Sequence, residues 1–284
     1  MIVKERQSQI GDFKVGRLLP FREKRQVGPF TFIDHMRPQT LSYGRGMDVD
    51  QHPHIGLSTL TYLFEGVIEH CDSLGNKVIV KPGDVSFMTA GRGITHTERT
   101  PQSQRAKQYH RLHGYQFWIA LPKELEEMKP QYQLLSGQNL PKSTGNGYEL
   151  TLIAGNGFGL KSPLSVFSNL FLVDLSSNNK TTLNLKDQLI GEIGIIVVHG
   201  LVEIETQPLK QGEMFITNSS PSTITLQENS QVLLCGGEQL PEERFMLWNF
   251  VSSKPKRLQK AKTDWINKEF PRVQNDHTYV AFPS

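Results

Sequence analysis

Cysteine is almost absent from this chain. Two residues, Cys71 and Cys235, among 284 cannot supply a disulfide framework, and their separation excludes the paired spacing of a zinc ribbon. Long apolar runs are also missing: none approaches the roughly 20 residues of a membrane-crossing helix. The opening Met1-Ile-Val-Lys-Glu-Arg-Gln7 has no apolar core of a secretory signal. Charge of one sign is lacking too, since 31 Lys and Arg oppose 28 Asp and Glu for a net +3, too little to argue for a nucleic-acid partner. No tract is compositionally biased, with 37% apolar and 21% charged residues. The expectation is a folded protein of a reduced, cytoplasmic compartment, with neither membrane nor direct nucleic-acid contact.

What is present reads mostly as short strands. Residues 57–65, 77–81, 85–89, 116–121, 170–175, 193–198 and 230–235 are rich in β-branched, aromatic and aliphatic side chains. Turn chemistry separates them, as in Ser73-Leu-Gly-Asn76, Pro82-Gly-Asp84, Gly155-Asn-Gly157 and Ser176-Ser-Asn-Asn179. Such spacing predicts an all-β sandwich or barrel. A faint repeat refines this. Thr61-Tyr-Leu-Phe-Glu-Gly66 followed by Lys81-Pro-Gly-Asp84 resembles Ile195-Ile-Val-Val-His-Gly200 followed by Lys210-Gln-Gly-Glu213. Two barrels from one duplicated unit follow, over 1–135 and 148–284, joined through the polar stretch 133–147.

Helical signals are few. Lys123–Met128 follows Pro122. Ser253-Lys-Pro255 offers an N-cap with proline in the first turn, and Leu258, Ala261 and Trp265 recur at helical spacing, predicting a helix over about 254–270. Its five lysines and one arginine (Lys254, Lys256, Lys260, Lys262, Lys268, Arg257) form a candidate docking patch or, more ordinarily, a solvated face.

Two pairs of metal-capable side chains stand out: His52-Pro-His54, and His96-Thr-Glu98 within Gly91-Arg-Gly-Ile-Thr-His96-Thr-Glu98. On a strand, residues i and i+2 share a face, so each pair can converge on one point. Three imidazoles and one carboxylate suit iron, zinc, nickel or copper better than calcium. Four protein ligands close a tetrahedral zinc site but leave two positions open on an octahedral ion. Five of the other histidines, His35, His110, His113, His199 and His277, read first as hydrogen-bonded structural residues. His35, His70 and His113 could also orient metal ligands, and Arg92 could meet an anionic substrate or cap a turn. Phe32, Met47, Phe87 and Trp118 could wall an apolar cleft, although ordinary core is the plainer reading of each.

His-x-His, then Pro-Gly-Asp, then Gly-x-x-His resembles the cupin metal site, but the stretch Ile55-Gly-Leu-Ser-Thr59 lacks the glutamate usual after the second histidine. Glu98 is on hand to replace it. With Met88-Thr-Ala-Gly-Arg-Gly-Ile-Thr-His96-Thr-Glu98, the pattern is similar to the pirin family. So are Arg17-Leu-Leu-Pro20, Val27-Gly-Pro-Phe30, Glu69-His-Cys-Asp-Ser-Leu-Gly75, Leu112-His-Gly-Tyr-Gln-Phe-Trp118 and Trp248-Asn-Phe-Val-Ser-Ser253. The resemblance implies a bicupin, two face-to-face antiparallel β-barrels of jelly-roll type with a short C-terminal helix. It implies one divalent metal ion in the N-terminal barrel, with His52, His54, His96 and Glu98 as ligands. The ion would be Fe2+, with zinc, nickel, manganese and copper as alternatives. In the second half, Lys186 and Gln188 fall where His52 and His54 stand in the first, so the C-terminal barrel lacks the ligands.

Some pirin-family members show quercetin 2,3-dioxygenase activity. The expectation is therefore a flavonol substrate with O2, carbon monoxide release, and Glu98 as the catalytic base as well as a ligand. The competing expectation is an iron-dependent regulatory protein that binds a protein partner without turnover.

Overall fold

Short strands that send every second side chain into an apolar core build this fold. In Glu192–His199, for example, Ile193, Ile195 and Val197 enter one apolar core with Phe171, Val173 and Leu175 of Leu170–Ser177, the period-2 pattern of a sheet facing a core. The computed structural model describes residues 1–10 and 13–283. Among these the regular structure is mostly antiparallel sheet, with a helix at Pro255–Ile266 and a single helical turn at Gln102–Arg105. The all-β expectation is met. No described helix is long and apolar enough to cross a membrane.

The chain forms two units. One comprises residues 1–6, 17–32 and 138–240. Its large sheet runs Ile2–Lys4, Glu213–Thr217, Glu192–His199, Ser230–Gly237, Leu170–Ser177, Tyr148–Gly157, Lys142–Gly145, and its second sheet Thr181–Asn184, Thr223–Leu226, Leu201–Ile204, Gln207–Lys210. Leu183, Val202, Ile204, Leu209, Ile224 and Leu226 of the smaller sheet join the core that the larger one lines.

The other unit comprises residues 7–16, 33–137 and 241–284. A seven-stranded sheet is accompanied by a four-stranded one in the order Asp48–His54, Ile94–Arg99, Ile68–Asp72, Lys77–Val80. Phe13, Val15, Met36, Leu63 and Leu112 from the first meet Ile68 and Val80 from the second. The four candidate ligands, His52, His54, His96 and Glu98, and also His70 lie on the four-stranded sheet.

The units are interleaved in sequence, unlike the contiguous division at 1–135 and 148–284. Met1–Lys4 belongs with the second half because Ile2, Val3 and Lys4 pair with Phe215, Met214 and Glu213. The C-terminal helix belongs with the first half because Leu258, Ala261 and Trp265 pack with Ile55, Phe250 and Phe270. Its buried stripe is the one read from the sequence. Its N-cap is not: Lys254 holds that position without a side-chain cap. Ser253 instead donates its backbone N–H (2.7 Å) and hydroxyl (3.1 Å) to Glu126, a buried carboxylate also paired with Arg244 at 3.1 Å. A buried charge takes its donors ahead of a solvent-facing helix end. The predicted helix after Pro122 shortens to a 3-10 turn, Lys123–Leu125.

The internal repeat is visible in the backbone. Gly66 and Gly200 end equivalent strands at φ of 80° and 81°, and Gly83 and Gly212 turn at 81° and 80°, conformations that favour glycine. In each copy the turn carboxylate, Asp84 or Glu213, accepts the N–H of the residue three before it, Lys81 or Lys210, at 3.2 Å. The repeat does not extend to metal chemistry: Lys186 and Gln188 are exposed, whereas His52 and His54 are buried.

Candidate metal centre

The strand Asp48–His54 is the edge of its sheet, which is why it tolerates Pro53: a missing N–H there costs no ladder bond. Pro53 also separates two histidines on the same face. The neighbouring strand Ile94–Arg99 places His96 directly opposite His52, with a register irregularity between His96 and Glu98. One ring nitrogen from each of His52, His54 and His96 lies within 4.8 Å of the other two, and all three side chains are buried. Ring centroids are 5.1 Å apart for His52 and His54, 4.3 Å for His52 and His96, and 5.0 Å for His54 and His96.

Hydrogen bonding decides which nitrogen each ring offers. His52 Nδ1 donates to the Asp50 carbonyl at 2.7 Å and His54 Nδ1 to the Asn249 carbonyl at 3.2 Å. A carbonyl only accepts, so both rings carry their proton on Nδ1 and present a lone pair at Nε2. His96 Nδ1 faces His70 Nδ1 at 3.4 Å, and His70 Nε2 faces Asp72 Oδ2 at 3.2 Å. The carboxylate accepts a hydrogen bond from the Nε2–H of His70, whose Nδ1 then accepts from the Nδ1–H of His96 and leaves His96 Nε2 bare. Asp72 is itself fixed by Leu74 N–H (2.9 Å), Asn76 N–H (3.1 Å) and Asn76 Nδ2 (2.8 Å). Burial pushes its carboxyl up, but the hydrogen bonds from His70 and Asn76 outweigh this and hold it below the usual range.

The Nε2 atoms of His54 and His96 are buried without any hydrogen-bond partner. Unsatisfied buried polar atoms are rare and call for an explanation such as an ion. Burial first, then the neighbouring histidines, holds His54 and His96 well below the ordinary imidazole value. Burial also lowers His52, against the opposing pull of the Asp50 carbonyl and the Glu98 charge. Three imidazoles kept neutral, each oriented through Nδ1 and converging through Nε2, fit a divalent transition metal.

Glu98 is placed differently. It is buried, but its oxygens fall outside the group of three ligand atoms. Thr61 Oγ1 donates to Oε1 at 3.1 Å and Gln116 Nε2 to Oε2 at 2.7 Å; Thr61 and Gln116 are themselves cross-strand partners. Its charge is still felt at His52. Of the wall residues read from the sequence, Trp118 lies edge-on to His54 at 5.0 Å. Met47 lies in the apolar core, Phe87 is buried, and Phe32 sits beneath the Arg17 guanidinium. His35 and His113 pair with each other through Nε2 at 3.1 Å, with His35 stacked on Tyr115. His70 contacts His96 itself, Nδ1 to Nδ1 at 3.4 Å. Asp72 and Tyr132, which stacks on His70 at 4.5 Å, were not singled out in sequence. The Asp72 signal was its i+2 spacing from His70.

A family model described as Pirin matches residues 12–119, and one described as Pirin C-terminal cupin domain matches residues 171–271. A pirin-like protein of Caulobacter vibrioides is 42% identical over 98% of this chain and 96% of its own length. The chain belongs to the pirin family. A Pseudomonas aeruginosa protein, provisionally named a quercetin 2,3-dioxygenase, is 35% identical over 90% of this chain and 79% of its own. A crystal structure of quercetin 2,3-dioxygenase from Acinetobacter baumannii superimposes with a TM-score of 0.93 at 32% identity, covering 100% of this chain and 95% of the other. Pirin family membership carries with it the bicupin class expected from the sequence, and the histidine triad gives this pirin a candidate site for a divalent metal.

Proposed function

We propose that this pirin-family chain is a mononuclear metal-dependent dioxygenase that opens flavonols of the quercetin type, in the cytoplasm. The observation that carries the reading is the convergence of three buried imidazoles, one ring nitrogen of each within 4.8 Å of the other two, with Nε2 of His54 and of His96 lacking any hydrogen-bond partner. The names of relatives similar over nearly the whole chain support the substrate class. His52, His54 and His96 are the ligands, and Glu98, which Thr61 and Gln116 hold outside that group, is the base. When bound, the divalent ion, proposed to be Fe2+, supplies Lewis acidity toward a phenolic hydroxyl and the electron chemistry that dioxygen requires.

The protein's own residues do the rest. Glu98 receives the proton of the flavonol 3-hydroxyl, and Thr61 and Gln116 hold its carboxylate in one orientation for that transfer. Trp118 presents an aromatic edge beside His54, a wall suited to a flat phenol and one that excludes water. One O2 is consumed and one CO released for each flavonol opened, so both oxygen atoms enter the products.

The test is aerobic incubation of Fe2+-loaded protein with quercetin, following loss of the flavonol absorbance and release of carbon monoxide. Turnover that disappears in His54→Ala and falls steeply in Glu98→Gln supports the assignment. A rate unchanged by both substitutions rejects it. Full metal loading with no turnover of any flavonol would favour a regulatory protein instead.

A further inference from the structure

The open edge of the strand that carries His52 and His54 is covered by the chain's own C-terminal tail. Past residue 271, where the family-model match ends, the tail runs back along Asp48–His54. Gln51, adjacent to His52, is held on both backbone and side chain. Its N–H donates to Thr278 Oγ1 at 3.1 Å and its carbonyl accepts from Val280 N–H at 3.0 Å. Its side-chain amide donates to the Thr278 carbonyl at 2.9 Å and accepts from Val273 N–H at 2.7 Å. Bonds on both sides of one residue fix its peptide planes, and those planes set where the next side chain points.

A second line of contacts runs through Arg99. Its guanidinium donates to Asp276 Oδ2 at 2.5 Å, Thr278 Oγ1 at 2.8 Å and Asp50 Oδ1 at 2.8 Å. Asp50 is the residue whose carbonyl accepts the hydrogen bond from His52 Nδ1–H, and Arg99 follows Glu98 directly. Thr278 Oγ1 thus accepts from Gln51 and Arg99 while donating to Asp276 Oδ1, joining both lines at one hydroxyl.

The tail is anchored on the C-terminal helix. Trp265 Nε1 donates to the Val280 carbonyl at 2.9 Å, Tyr279 stacks on Trp265 at 4.5 Å, and the Tyr279 hydroxyl donates to the Trp265 carbonyl at 3.1 Å. Lys262 and Lys268 lie over the Phe282 and Tyr279 rings. Part of the helix's lysine-rich face is therefore engaged by the chain itself.

We propose that the tail is a strap that sets the affinity of the metal centre, with Asp276 and Thr278 as positioning residues acting on His52 through Gln51, Asp50 and Arg99. The inference rests on His52, His54 and His96 holding a metal, and it adds a determinant remote from them in sequence. Groups that orient ligands from outside the coordination sphere are each worth about 10- to 100-fold in metal affinity.

The test uses Co2+ alone as probe, its affinity read by competition and its visible spectrum reporting ligand geometry. Four proteins are compared: the full chain, a chain ending at Pro271, Thr278→Val and Thr278→Ser. Melting in the presence of chelator is recorded for each. The strap predicts that the shortened chain and Thr278→Val lose about tenfold or more in Co2+ affinity with an altered spectrum, while Thr278→Ser, which keeps the hydroxyl, stays close to the full chain. If the shortened chain fails to fold, the valine and serine variants carry the comparison. Co2+ affinities within twofold across all variants, with only the apo melting temperature lowered, would overturn the strap and leave the metal centre intact. Failure of the full chain to bind Co2+ would overturn the metal-centre reading and the strap with it.

Discussion

Replacing Asp72 by asparagine tests how the protein directs the His96 lone pair. The substitution is nearly isosteric, and the oxygen of the new amide can still accept from the Leu74 and Asn76 N–H groups, as Asp72 Oδ1 does at 2.9 and 3.1 Å. The amide nitrogen then faces His70 Nε2, where the carboxylate oxygen stood at 3.2 Å. Two donors cannot share that contact, so His70 must move its proton to Nδ1. That nitrogen meets His96 Nδ1 at 3.4 Å, and the conflict passes on. His96 relieves it by carrying its proton on Nε2, which removes the metal-binding lone pair, or leaves a buried donor unpaired at a cost of about 1–3 kcal/mol. A 10- to 100-fold loss of metal affinity, about 1.4–2.8 kcal/mol, is expected. The assay is competition between the protein and a chelating indicator for Co2+ under anaerobic conditions, with His96→Ala as the reference for a lost ligand. Binding by Asp72→Asn within twofold of the unsubstituted protein, while His96→Ala loses it, would refute the relay.

Glu98→Gln keeps the shape and the Thr61 contact but removes the base; turnover of quercetin should fall about 100-fold or more, measured as carbon monoxide release at saturating substrate. Acid should destabilise the metal-free protein through the triad. The folded-state pKa values of His52, His54 and His96 are lowered, so the unfolded chain gains protons first as pH drops below about 6.5. Stability contributed by these rings is therefore level above that pH and declines below it. Melting temperatures from pH 8 to 5 should show this, and their rise on acidification would contradict it. Trp265→Ala, which empties a buried site and breaks the bond to Val280, should cost about 3–5 kcal/mol in urea unfolding.

The centre was legible in sequence to the extent that local geometry defines it. His52 and His54, or His96 and Glu98, share a face because strand period is two, and nothing distant is needed to say so. Glu98 shows where that reasoning stops. The register irregularity beside it and its donors Thr61 and Gln116 belong to other strands, so its separation from the triad could not be read from spacing. His70 was ambiguous and Asp72 went unread for the same reason: their role depends on His96 pairing opposite Asp72 and Glu98 opposite His70. The barrel pattern was legible because it recurs in turn glycines and turn acids. The interleaving of the units was not, since the apolar stripe of Pro255–Ile266 names no partner and Ile55 supplies one. Ser253 was misread as a cap because the buried Glu126 that claims it lies far away in the chain.

The metal centre itself is tested most directly by an anomalous-difference map of crystals of the metal-loaded protein, collected at the absorption edge of the ion. The assignment predicts a single strong peak per chain, bonded to Nε2 of His52, His54 and His96, and absent from crystals of His54→Ala. No peak at that point, or a peak held by other side chains, would contradict it.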